Sequence, residues 1–166
     1  SAMSQKHLGT DFDIHGGGQD LIFPHHENEI AQSRCGNHGS HFAKYWMHNG
    51  YLQSESEKMS KSLGNFYTVN ELLAEFPGEA LRLTLLQTHY RAPLDFTKDG
   101  VRQAKATLDR MYAALRGTPA AADGDDVPSR GQEALEDELN TPLALAGLHE
   151  AITALNAASG DEAKAQ

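Results

Sequence analysis

Phe12-Asp13-Ile14-His15-Gly16-Gly17-Gly18-Gln19-Asp20-Leu21-Ile22-Phe23-Pro24-His25-His26-Glu27-Asn28-Glu29 is the stretch from which the fold is read. From Asp11 to His15 the residues alternate, with Phe12 and Ile14 on one face, which predicts a short strand. The glycines Gly16, Gly17 and Gly18 then permit a backbone turn with positive φ and the close approach of a ligand. Pro24 suits the first turn of a helix, and the acidic residues after it suit a helix N-terminus. Strand, glycine turn and helix in that order make the unit that binds nucleotides at the carboxyl edge of a doubly wound sheet.

Downstream, Lys58-Met59-Ser60-Lys61-Ser62 lies in a polar loop. Its two ammonium groups and two hydroxyls form a cationic hook suited to a polyphosphate whose charge grows in a transition state. Taken alone, the same run also reads as a solvated Lys/Ser loop. His25 and Glu29 are four apart, so they project from one face of the predicted helix. That spacing is a workable half-site for zinc, and equally an ordinary His/Glu pair on a wet helix face. His26, three residues from Glu29, competes for the same carboxylate. Asp20 is placed either to accept hydrogen bonds from ribose hydroxyls or to serve as a helix cap or first-turn acid. Cys35, six residues past Glu29 and off its face, reads as a buried or incidental thiol.

The block as a whole resembles cysteinyl-tRNA synthetase, a class I aminoacyl-tRNA synthetase. The resemblance rests on His15 to Ser33, on Tyr45-Trp46-Met47-His48-Asn49-Gly50, and on Glu57 to Phe66 around the Lys/Ser loop. His89-Tyr90-Arg91 and Leu139-Asn140-Thr141-Pro142 continue it. The implied reaction is ATP-dependent activation of L-cysteine and its transfer to tRNA-Cys, with Mg2+ accompanying ATP. The resemblance implies that Lys61 stabilises the pentavalent α-phosphate and the leaving pyrophosphate, assisted by Lys58 and Ser60. It implies that Gly16, Gly17 and Gly18 let the adenosine lie against the backbone, with Asp20 in the ATP site, and that His15 and His48 line the amino-acid pocket. It further implies a zinc ion held by His25, Glu29 and two cysteines, the metal binding the substrate thiolate and rejecting serine.

The family's second cysteine ligand directly precedes a Ser-Ala-Met sequence, with which this chain begins, and its HIGH motif is absent. The chain therefore reads as a piece of a synthetase whose partner is the N-terminal half of the same enzyme. Two metal ligands out of four predict weak or no zinc in this chain alone. The expected fold class is α/β: the C-terminal half of a Rossmann-like class I catalytic domain followed by α-helical bundle segments. Two alternatives stay open, a ligase joining cysteine to an amino sugar in thiol-cofactor synthesis and a non-catalytic zinc- or nucleotide-binding module.

The expected division is 1–66 for the adenylation domain ending in the Lys/Ser loop, 67–96 for connective helices, and 97–166 for the start of a helical domain. A flexible linker, rich in alanine and aspartate, is expected at 117–131. Helices are predicted from Thr68 to Pro77-Gly78, from Glu79 to His89, from an N-cap at Thr97 to about Arg116, and from Gln132 to about Asn156, where Pro142 opens a second helix. The core stripe of the third is Val101, Ala104, Leu108, Met111 and Leu115, and that of the last is Leu145, Leu148, Ile152 and Leu155. One cysteine excludes an intramolecular disulfide, and no apolar run approaches membrane-spanning length. A formal net charge of −9 argues against a nucleic-acid surface spread over the chain, so tRNA binding is implied only by the resemblance. The location expected is cytoplasmic and the state monomeric.

Overall fold

The computed structural model describes residues 1–54, 57–58, 67–116, 118 and 129–164, with the backbone alone at 57–58, 129 and 159–164. The chain divides into two compact units, Ser1–Tyr51 with Tyr90–Pro93, and Leu52–His89 with Leu94–Gln166.

The first unit is built on a strand–helix–strand crossover. Helix α1 (Ala2–Leu8) leads to strand β1 (Phe12–Gly18), and helix α2 (Glu27–Gly36) returns the chain to strand β2 (Ala43–Asn49). The strands pair in parallel, from Phe12 against Ala43 to Gly18 against Asn49. That ladder corrects the reading of the glycines as a turn. Gly16, Gly17 and Gly18 are the last residues of β1, opposite Met47, His48 and Asn49, and among the described glycines only Gly9 and Gly39 have positive φ. Pairing holds the triplet extended, so these positions need glycine for room rather than for left-handed geometry.

Pro24 also lies elsewhere than expected. A single 3-10 turn, Gln19–Leu21, and an irregular turn, Ile22–His26, precede α2. Phe23, with φ −135 and ψ 134, is extended, as a residue before proline tends to be. The interruption delays the helix to Glu27, which places Glu27 and Glu29 in its first turn.

In the second unit, β3 (Leu52–Ser54) pairs antiparallel with β4 (Glu57–Lys58) and parallel with β5 (Leu94–Asp95). Helix α3 (Val69–Glu75) starts at a capping box. The Thr68 hydroxyl accepts from the Glu71 N–H at 3.2 Å, and the Glu71 carboxylate accepts from the Thr68 N–H at 2.9 Å. Pro77 caps α4 (Gly78–Leu86). Thr97 caps α5 (Lys98–Leu115) by accepting from the Gly100 N–H at 3.0 Å. Helices α6 (Ser129–Glu136) and α7 (Thr141–Lys164) complete the unit, with Pro142 in the first turn of α7.

Leu72, Phe76, Ala80, Phe96 and Val101 form the core of this unit, flanked by Tyr67, Leu81 and Leu108. The predicted α5 stripe buries Val101, Ala104 and Met111, but Leu115, in the last turn, is exposed. Thr107 is buried instead, its hydroxyl accepting from the Arg110 guanidinium at 3.2 Å. On α7, Leu145, Ile152 and Leu155 are half-buried and Leu148 is exposed, so this stripe is shallower than expected.

Candidate active site

Beside the carboxyl half of the β1–β2 ladder, His15, His25, His26, Trp46 and His48 gather with the Glu29 carboxylate and the Ser1 ammonium. His15 on β1 lies opposite Trp46 on β2, and Gly17 lies opposite His48. A Cβ on Gly17 would stand 2.8 Å from Leu21 Cδ1 and 3.0 Å from His26 Cε1. The missing side chain therefore leaves the space into which the turn before α2 inserts the His26 ring. His26 is only 3% exposed, and its Nδ1 lies 2.8 Å from His48 Nε2. Trp46 stacks on His48 with 13° between the planes and meets His15 edge-on at 4.8 Å.

Glu29 closes the cluster from α2. His15 Nε2 lies 2.8 Å from its Oε2, and the Ser1 ammonium donates to its Oε1 at 3.0 Å. His25 Nε2 stands 3.6 Å from the same Oε2. Among the described residues, His15, His26 and Glu29 offer ligand atoms all within 4.8 Å of one another, a donor set of two imidazoles and a carboxylate that suits zinc. Glu29 and His25 thus share one carboxylate contact as their spacing suggested, but His15 and His26 enter it as well.

The charges follow from the surroundings. Burial lowers the His26 pKa, and the neighbouring His15 and His48 add to the effect, so the ring favours its neutral form. Burial pushes the Glu29 carboxyl up, but the hydrogen bond from the Ser1 ammonium and the field and hydrogen bond of His15 outweigh it, leaving its pKa lowered. An anionic Glu29 therefore faces a neutral His26 across His15.

The remaining expected residues fall as follows. Asp20 is exposed and sits in the first turn of Gln19–Leu21, with its carboxylate folded back over Gly18, where a Cβ would stand 2.4 Å from Oδ1. Gly16 faces the Met47 carbonyl, 3.2 Å from where its Cβ would lie. The Ser60 and Lys61 residues and the Lys58 side chain lie outside the described residues. Cys35 is exposed rather than buried. The sequence offers His26 only as a rival to His25; nothing in the local pattern places His26 against His48, because the contact is made across the crossover.

Residues 1–106 match the family model described as tRNA synthetases class I (C) catalytic domain, and residues 131–166 match the DALR domain. The chain belongs to this class I tRNA synthetase family. It is 61% identical over 175 residues to the cysteine–tRNA ligase of Paramagnetospirillum magneticum, covering 100% of this chain and 37% of that protein. It is 58% identical over 167 residues to the cysteine–tRNA ligase of Rhodospirillum rubrum, covering 100% of this chain and 36% of that protein. The chain thus spans little more than a third of the length of these curated relatives. The ternary complex of Agrobacterium radiobacter LeuRS with tRNA and LeuAMS shares the fold, with a TM-score of 0.68 at 19% identity over 90% of this chain and 23% of that one. Among the described residues no helix is long and apolar enough to cross a membrane.

Proposed function

We propose that the intact protein is a cysteine–tRNA ligase, activating L-cysteine with ATP to cysteinyl-adenylate and passing the cysteinyl group to tRNA-Cys. The observation that carries this reading is the His/Glu cluster beside the glycine triplet, in a chain 61% identical to a cysteine–tRNA ligase. In the first step the cysteine carboxylate attacks the α-phosphorus of ATP, and pyrophosphate leaves with the bonding electron pair. A terminal ribose hydroxyl of the tRNA then attacks the adenylate carbonyl, loses its proton and releases AMP. No side chain is needed as nucleophile, so the protein's part is positioning and charge stabilisation.

Lys61, with Lys58 and Ser60, neutralises the phosphates and the leaving pyrophosphate in this reading. Gly16, Gly17, Gly18 and Asp20 hold the adenosine, Asp20 by accepting from ribose hydroxyls, and Mg2+ accompanies the ATP. His25 and Glu29 are the zinc ligands, with His15 fixing the Glu29 carboxylate through the 2.8 Å contact. A zinc ion held there supplies a soft partner for the substrate thiolate that a serine hydroxyl does not match. His48 and the neutral His26 line the pocket floor, with Trp46 setting their planes. Residues 1–66 form the later part of the adenylation domain, 67–96 its connective helices and 97–166 the start of a helical domain. The intact protein works as a cytoplasmic monomer, with an N-terminal half completing the site.

Cysteine-dependent ATP–pyrophosphate exchange by the intact protein, with serine as control, tests the reading. Exchange with cysteine and none with serine is expected. Exchange with neither amino acid sinks the ligase reading. Metal analysis of the 166-residue chain alone is expected to find zinc well below one equivalent, and stoichiometric zinc would overturn the need for further ligands.

A further inference from the structure

Gly18 against Asn49 is the last register pair of the parallel ladder, and Gln19 and Gly50 are the residues that follow. Both reach the same returning segment, Tyr90–Pro93, within the first unit. The Gly50 N–H donates to the Tyr90 carbonyl at 2.6 Å, and the Gln19 side-chain amide donates to the Arg91 carbonyl at 3.0 Å. The approach at Gly50 leaves no room for a side chain. A Cβ there would stand 2.3 Å from the Ala92 carbonyl oxygen and 2.5 Å from its carbon, both backbone atoms that no rotamer change moves aside. Two successive carbonyls are thus fixed by donors that follow the two strand ends.

The amide of Gln19 belongs to the residue just before Asp20, and Gln19–Leu21 is a single short turn. The turn has one tie through the chain to β1 and a second through the Arg91 carbonyl. Between them the Asp20 carboxylate lies over Gly18, in a space that a methyl group would fill. We infer that Gln19 and Gly50 are positioning residues that hold Asp20 at the carboxyl edge of β1, the edge at which such sheets bind nucleotides. The inference rests on the proposed role of Asp20 as acceptor for ATP ribose hydroxyls. Gln19 itself touches no substrate; it acts through the turn.

The test is cysteine-dependent ATP–pyrophosphate exchange by the intact protein, run with ATP and with 2′-deoxy-ATP. Gln19→Ala is expected to raise KM for ATP about two- to tenfold, the worth of one hydrogen bond, with kcat nearly kept. Its preference for ATP over 2′-deoxy-ATP should shrink, which a general loss of stability would not produce. Asp20→Ala, which removes the acceptor, should abolish that preference, and adding Gln19→Ala to it should change little more. Gly50→Ala should act as Gln19→Ala does, but since it threatens folding the decision rests on the Gln19 variant. An undiminished preference in Gln19→Ala overturns the inference and leaves the ligase reading standing, as does a kcat loss with KM unchanged. A wild-type protein that shows no exchange overturns the ligase reading, and the inference with it.

Discussion

The two units are ordered by different means. The second unit buries an apolar cluster of Leu72, Phe76, Ala80, Phe96 and Val101 between helices and a short sheet. The first unit buries Phe42 and Ala43 but also His26 and Ser33, while the register pair Ile14 and Tyr45 on its parallel sheet stays 64% and 68% exposed. Parallel sheets are ordinarily covered on both faces. Hydrophobic burial therefore holds the second unit, whereas the first leans on its ladder, its glycines and a polar cluster. A core of side chains tolerates little loss of volume; a cluster of imidazoles and a carboxylate tolerates little change of charge or of the space around it.

The largest effect is expected in the second unit. Phe96→Ala removes the centre of its core and should cost about 3–5 kcal/mol, read as a lower urea midpoint of the helical circular dichroism signal. Ile14→Ala, at an exposed position of the first unit, should stay within about 0.5 kcal/mol. Equal losses from the two would mean that the first unit has an apolar core after all.

Gly17→Ala comes next. Its methyl would enter the space of the Leu21 and His26 side chains, and overpacking of that kind costs about 1–3 kcal/mol. Trp46, the chain's single tryptophan, lies in the first unit within 5.2 Å of the His26 ring. Its fluorescence should shift in the variant, and an unchanged spectrum would mean that His26 does not need the glycine.

Thr68→Ala tests local order in the second unit. It removes the hydroxyl that accepts from the Glu71 N–H before α3 and leaves the backbone N–H that donates to the Glu71 carboxylate, for a loss of about 1 kcal/mol, and Trp46 fluorescence should not respond.

What was legible in the sequence divides along the same line. Thr68 and Thr97 announce helix starts because a cap is a contact among residues three apart, and Pro142 announces one because its fixed φ suits a first turn. The strand at Phe12 and the spacing of His25 and Glu29 were readable for the same reason. The glycine triplet was recognised as special but its turn was the wrong cause, since the pairing that holds it extended, and the Met47 carbonyl that crowds Gly16, come from a ladder that forms only after the crossover. His26 against His48, and Gln19 against Arg91, join residues 22 and 72 apart, and no local period encodes either. The stripe on α5 failed at Leu115 because periodicity marks a face but not how far along the helix its neighbours extend.

The smallest expected effect is on pH dependence, and it sharpens the contrast because it belongs to the first unit. The His26 pKa is lowered from 6.5 by burial and by its histidine neighbours, so the unfolded chain takes up a proton at a pH where the folded ring still refuses it. The stability this represents is fully present above about pH 6.5 and is lost as pH falls from there to the folded value. Glu29 adds a second loss in the same direction at lower pH, since its pKa is lowered from 4.5 and the anion that holds His15 must be protonated. Unfolding followed by Trp46 fluorescence should therefore weaken in two stages on acidification, and His26→Gln should remove the upper one alone. Helical ellipticity, dominated by the second unit, should show no such upper stage. An upper stage that survives His26→Gln would assign it to another group, and the polar cluster would lose its place as the titrating element of the first unit.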